Sequence, residues 1–297
     1  MDESLRRELG AHLRAARASI APQDVGLGAG GRRRSPGLRR EEVATLAGVS
    51  VAWYTWLEQG RVSTSRQVVD AVCRALRMDP VAHRHALALA GFLPPPPRAG
   101  QWAAAVPGPD TLALVDSWHA TPALVLDERF DVLAANAAHR RLWGPLEEAP
   151  AEERNLLLHL AAGPPGRHRI TAGPADGNGP GGQALLRGLY EQFRAATAHV
   201  PDDLRSAEIV RRLHALRPDA AHWWQCRAVA DFRPSTVEVV DTGRPDRVLR
   251  LTFSLLRPAA DTGVLLLTQH PADATGAALL ARLAACADPT DAASTSL

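Results

Sequence analysis

The sequence predicts two domains of different class: an all-α head of five helices, followed by an α+β domain built on one mainly antiparallel sheet. Three observations carry this prediction. Apolar residues recur at helical spacing through residues 1–93, and four consecutive prolines, Pro94 to Pro97, then interrupt the pattern. Beyond them, short β-rich runs stand at both ends of a helical middle.

Ser4 to Ile20 carries Leu5, Leu9, Leu13 and Ala16 at spacings of three and four, which makes an amphipathic first helix. Val43, Ala44, Leu46 and Ala47 form an apolar stripe on a second helix, and Tyr54 and Leu57 form one on a third. Gly48 stands where the chain leaves the second helix and Ser50 is suited to cap the third. Ala44 is small enough to let the pair approach closely. Ser65 to Arg77 puts Val68, Val69, Val72 and Leu76 on one face, and Pro80 to Gly91 ends on a glycine as helices often do.

A helix, a glycine-marked turn and a second helix make a helix-turn-helix, whose second helix lies in the DNA major groove with its first residues at the base edges. The positions expected to face the groove are Ser50, Val51, Ala52, Thr55 and Trp56, with Trp53 beside them. None is an Arg, Asn or Gln suited to bidentate base contacts, so readout is expected to rest on thymine methyls, DNA shape or tryptophan packing on the backbone. Trp53 and Trp56 have a second reading, as a surface for a partner subunit. Charge agrees with DNA. Residues 1–93 hold 14 arginines against 9 acids, a net of +5, and the remainder holds 20 against 23. Arg32, Arg33, Arg34, Arg39, Arg40, Arg61 and Arg66 flank the motif and suit phosphate contacts. Arg32 to Arg34 lie among glycines and read either as a minor-groove arm or as a loop.

The motif resembles the lambda-repressor-like (XRE, Cro-type) helix-turn-helix family, and the run from Ser35-Pro36-Gly37 through Glu58-Gln59-Gly60-Arg61 resembles its MmyB-like branch. The resemblance implies a structural ion pair between Arg17 and Glu58, and a dimer reading paired half-sites about one helical turn apart. It also marks a departure at Trp56, where family members usually carry an arginine.

Residues 94–110 read as a proline-rich linker, a semi-rigid polyproline spacer. From about Thr111 the character changes. Pro122 to Asp127 and Val132 to Asn136 are expected to pair as a hairpin across Glu128 to Asp131, and a helix follows over Ala137 to Trp143. A further helix is expected from near Pro150 through Leu160. Gly163 to Gly182 is so rich in Gly and Pro that it is expected to be a mobile loop. Helices follow at Gln183 to His199, Asp202 to Leu216 and Asp219 to Cys226. Ser235 to Val240, Val248 to Leu256 and Val264 to Gln269 read as strands, and Ala274 to Ala285 as a last helix before a flexible tail, 286–297.

Thr121 to Asp127, Asp131 to Asn136, Glu152 to Leu157, and Trp224 with Val229 resemble the MmyB-like ligand-binding domain, which implies a PAS-like fold and a small-molecule effector. The family often has His and an acid after the tryptophan, where this chain has Arg227 and Ala228. Lining residues for an apolar cavity are Leu124, Leu133, Asn136, Trp143, Arg154, Leu157, Trp223, Trp224, Leu251 and Phe253. The apolar ones also read as ordinary core, Asn136 as a helix cap and Arg154 as half of a surface ion pair.

No phosphate loop, dinucleotide fingerprint, nucleophile elbow or His-Glu-x-x-His is present, so no catalytic residue and no cofactor are expected. Cys73, Cys226 and Cys286 are too scattered for zinc or disulfides, and the spacings His222/Cys226 and His83/His85 lack further ligands nearby, so no metal is expected. No apolar run reaches membrane-spanning length and the N-terminus is charged, which points to the cytoplasm and no membrane partner. All 34 basic residues are arginine, a bias associated with GC-rich bacterial genomes. The combined reading is a sequence-specific bacterial transcription regulator: residues 1–93 bind double-stranded DNA, 111–285 sense a small apolar or acyl-type, fatty-acid-like ligand, and the chain is a homodimer. Alternatives are a helix-turn-helix protein-interaction module and an enzyme with a DNA-binding appendage.

Overall fold

The computed structural model describes residues 3–27, 37–93, 105–163, 168–171, 181–220, 223 and 228–285. Its contacts divide the chain into two compact units, one of residues 1–102 and 190–231, the other of 103–189 and 232–297.

The first unit opens with helices α1 (Glu3–Ser19), α2 (Arg40–Ala47), α3 (Val51–Glu58), α4 (Arg66–Ala75) and α5 (Pro80–Leu89). Their apolar stripes meet in one core of Leu9, Leu13, Val43, Ala44, Tyr54, Leu57, Val69, Val72 and Leu89. Each Leu or Val among them contributes about 1.5–3 kcal/mol by leaving water. Gly48 leaves α2 with φ +68°, a left-handed conformation that favours glycine. Gly10 serves packing instead. A Cβ there would lie 2.5 Å from the Glu58 carbonyl oxygen, so its missing side chain lets α1 cross directly on the end of α3. The same unit holds the end of helix α9 (Gly181–Thr197) and helix α10 (Leu204–Leu216), and Arg194 on α9 bonds Glu8 on α1 at 3.0 Å.

The second unit is a six-stranded, wholly antiparallel sheet in the order β2-β1-β6-β5-β4-β3. The strands are β1 (Ala123–Asp127), β2 (Val132–Ala135), β3 (His168–Thr171), β4 (Ser235–Asp241), β5 (Arg244–Leu256) and β6 (Val264–Pro271). Helices α7 (Ala137–Trp143) and α8 (Leu156–Ala162) and the start of α9 lie between β2 and β4 in sequence, and α11 (Ala274–Ala285) ends the described chain. This is the expected α+β architecture. Register places Leu124, Leu267, Phe253, Leu251 and Val237 on one face, while Ala123, Val125, Val264 and Leu266 pack on the other with Val115, Trp118 and Leu133.

Three local expectations need correction. Helix α6 (Pro109–Asp116) stands where the spacer was expected to run out, because Pro109 takes the first helical position, where its missing N–H costs nothing. Helix α8 begins at Leu156 rather than near Pro150: the Asn155 side chain accepts from the backbone N–H groups of Leu157 and Leu158, which fixes the start there. Strand β3 lies inside the expected loop, its Ile170 opposite Val239. The rest of that loop, 164–167 and 172–180, lies outside the described residues, as do 94–104 of the spacer, the tail 286–297 and most of the helix expected at Asp219 to Cys226, which begins as a short 3-10 turn at Pro218–Ala220.

Candidate functional site

Helix α3 presents a two-sided surface. Tyr54, Leu57 and Glu58 are buried, whereas Val51 and Trp56 are each 46% exposed and Ala52 is exposed beside them. Thr55 sits at the edge, half-buried, its hydroxyl donating to the Val51 carbonyl at 2.8 Å. Trp53 is half-buried and packs on the core of the first unit, so of the two tryptophans only Trp56 belongs to the exposed face. The Ser50 hydroxyl oxygen accepts from Trp53 N–H at 3.2 Å and caps the helix.

The N-terminal ends of α2 and α4 and the turn after α3 carry the other groups. Arg39 is exposed and reaches Glu41 at 3.4 Å, Arg61 is exposed, and Arg66 is exposed with Asp70 at 3.9 Å. Free backbone N–H groups at a helix start, together with an arginine, favour phosphate. Arg32 to Arg34 lie outside the described residues. Arg40 has a second attachment: its Nε donates to Glu58 Oε2 at 2.7 Å, and Arg17 Nε donates to Glu58 Oε1 at 2.5 Å. Arg17 also donates to the Leu38 carbonyl at 2.7 Å, tying the entry of α2 to α1. Burial disfavours the Glu58 charge, but the hydrogen bonds from Arg17 and Arg40 outweigh it and hold the carboxyl below its ordinary value. Two arginines on one carboxylate leave the cluster one positive charge in excess.

In the second unit, Leu124, Leu251 and Phe253 lie buried on one sheet face, and Trp143 and Leu157 are buried in the same unit. Leu133 does not join them, since it packs with Val115 and Trp118 on the opposite face. Trp223 is buried in the first unit, and Trp224 lies outside the described residues. Of the two readings of Asn136, the structure shows the helix cap. Its Oδ1 accepts from Ala123 and His139 N–H, and its Nδ2 faces the carbonyls of Val115, Trp118 and Thr121, so it braces the corner between α6, β1 and α7. Arg154 is half-buried and donates to the Glu147 carbonyl at 3.3 Å.

Residues 107–283 match the model of the MmyB-like transcription regulator ligand binding domain, and residues 8–87 match that of a helix-turn-helix domain. The chain belongs to the MmyB-like transcription regulators. A search of curated proteins gives no match. As an MmyB-like regulator the protein is a DNA-binding transcription factor with a ligand-binding domain for a small-molecule effector. Among the described residues no helix is long and apolar enough to cross a membrane, and no group of three His, Cys, Asp or Glu side chains is placed to hold a metal.

Polar residues in the core of this regulator escaped sequence reasoning. Trp143 Nε1 donates to Gln269 Oε1 at 2.5 Å, and Gln269 Nε2 stands 3.2 Å from His139 Nδ1. The i, i+4 spacing of His139 and Trp143 on α7 was a usable signal. Gln269, 126 residues beyond Trp143, carried none.

Proposed function

We propose that this MmyB-like regulator recognises specific operator sequences as a homodimer in the bacterial cytoplasm and releases or tightens its grip when a small apolar or acyl-type molecule binds. The working division is DNA binding by 1–93, a linker at 94–110, ligand binding by 111–285 and a tail at 286–297. The observation that carries the DNA half is the phasing of α3, which buries Tyr54 and Leu57 while exposing Val51, Ala52 and Trp56 beside a Ser50-capped N-terminus. In this reading Ser50, Val51, Ala52, Thr55 and Trp56 meet base edges, sugars and thymine methyls. Arg32, Arg33, Arg34, Arg39, Arg40, Arg61 and Arg66 meet phosphates. Leu124, Trp143, Leu157, Leu251 and Phe253 surround the effector.

The exposure of Trp56 also supports a protein-docking surface, and one experiment separates the two. Selection of bound sequences from a random DNA pool at two salt concentrations is expected to return a paired motif whose recovery falls steeply with salt. A pool without enrichment at either salt would reject operator recognition in favour of the docking surface.

A further inference from the structure

The core of the second unit contains a directed chain of polar groups that ends on an unused donor. An indole nitrogen can only donate, so the bond from Trp143 Nε1 fixes Gln269 Oε1 as the acceptor end of the amide and Nε2 as its donor end. The Gln269 Nε2–H therefore donates to His139 Nδ1, and an imidazole that accepts at Nδ1 is neutral and carries its proton on Nε2. His139 is 2% exposed, and its Nε2 has no hydrogen-bond partner among the described residues. A buried donor left without an acceptor is costly, so a fold that builds three side chains toward one calls for an explanation.

The surroundings say what kind of acceptor fits. Gln269 lies directly opposite Phe253 in the β5–β6 pair, and Leu267, two residues before it on the same face, lies opposite Leu124. The indole of Trp143 stands edge-on to His168 on β3, with ring centroids 6.4 Å apart. The six-stranded sheet is curled, and Trp143 on α7 meets both β6 and β3, strands that would lie about 14 Å apart in a flat sheet. The polar chain thus lies on the inner, apolar side of a curled sheet. Among the described residues no cation is committed to it. Burial pushes His139 down to about 3 and His159 on α8, whose charge would act on it, down to about 4, so both are neutral at physiological pH. Arg140 is exposed and bonded to Glu147. The charge of Arg140 reaches His139 but is already taken up by Glu147, so a carboxylate brought there would lose its hydration without a counter-charge of its own.

We infer that His139 Nε2–H is the donor that orients the effector, and that the effector is a neutral molecule with an apolar body and an oxygen acceptor, such as a ketone, ester or amide. This rests on the ligand-binding reading above and narrows it from any apolar or acyl-type molecule to an uncharged one.

The test uses the full chain with octan-2-one, octanoate and octane as probes, with binding read by tryptophan fluorescence and calorimetry. Octan-2-one is expected to bind the wild type about tenfold more tightly than either other probe, the factor one buried neutral hydrogen bond supplies. His139→Leu is expected to abolish that preference and retain octane binding. Equal affinities for the ketone and octane in the wild type, or a preference that survives in H139L, would overturn the role of His139 while leaving an apolar site standing. Should H139L fail to fold, ring 15N NMR of the wild type decides: the His139 Nε2–H resonance moves downfield with octan-2-one and not with octane. If it does not move, its partner is water only and the proposal is wrong. If no probe binds and native mass spectrometry finds no co-purified molecule, the ligand reading falls as well. A co-purified molecule that is charged or lacks an oxygen acceptor would overturn this proposal alone.

Discussion

Replacing Glu58 by glutamine should loosen the first unit more than any surface change. The Glu58 side chain is 1% exposed and takes charge-assisted bonds from Arg17 at 2.5 and 3.3 Å and from Arg40 at 2.7 Å. Glutamine keeps one acceptor oxygen and no charge. Arg40 is 40% exposed and regains water when released, so its share of the loss is at most about 1 kcal/mol. Arg17 is only 13% exposed and stays behind as a buried cation with half its partner, so the full cost is about 3 kcal/mol. The pH dependence supplies a second reading. The folded Glu58 titrates below its unfolded value of 4.5, so its stabilisation is complete above that value and disappears as pH falls through the folded one. Hydrogen exchange at the α1 and α3 amides, compared between wild type and Glu58→Gln from pH 7 to pH 3, measures both effects. A loss below about 1 kcal/mol, or an acid slope in the variant equal to that of the wild type, would refute the ion-pair account.

Asp127 behaves in the opposite sense: burial, reinforced by Asp131, raises its carboxyl to about 6, against the backbone bonds it accepts in the β1–β2 turn. Its protonated form is favoured in the fold, so the second unit should gain stability on acidification from pH 7 to 5, and Asp127→Asn should flatten that slope and gain about 1–3 kcal/mol at pH 7, as read by urea unfolding at each pH. Gly10→Ala should unfold the first unit or sharply lower its melting temperature, since the new Cβ meets the carbonyls of Glu58 at 2.5 Å and Leu57 at 2.7 Å, and an unchanged melt would contradict the close crossing of α1 on α3. Arg61→Gln should weaken binding to all DNA sequences alike and lower the salt slope by about 1 per contact, with fluorescence anisotropy on two unrelated duplexes as the check.

Local chemistry made the first unit legible. Gly48 and Ser50 mark the turn of the motif without any tertiary information, and the exposed face of α3 follows from the spacing of Tyr54 and Leu57 alone. The same holds for α7, which is closed by Asn136 on one side and Gly144 on the other. What stayed hidden depends on partners distant in sequence. Strand β3 is four residues among glycines and prolines, and it is a strand because β4 pairs with it. Gln269 becomes a core polar group only because β6 lies beside β1 and carries it under Trp143 and His139. The attachment of Arg40 to Glu58 was equally invisible, as nothing in the spacing distinguishes it from Arg39.

If this regulator grips DNA through the arginines that flank its helix-turn-helix, as proposed, its affinity must depend steeply on salt. With Arg39, Arg40, Arg61 and Arg66 alone on phosphates in each half of a dimer, the logarithm of the association constant for a selected duplex should fall against the logarithm of salt with a slope of about −7, steepening toward about −13 if Arg32, Arg33 and Arg34 join them. A slope near zero, or affinity that does not distinguish the selected duplex from a scrambled one at any salt, would contradict the proposal.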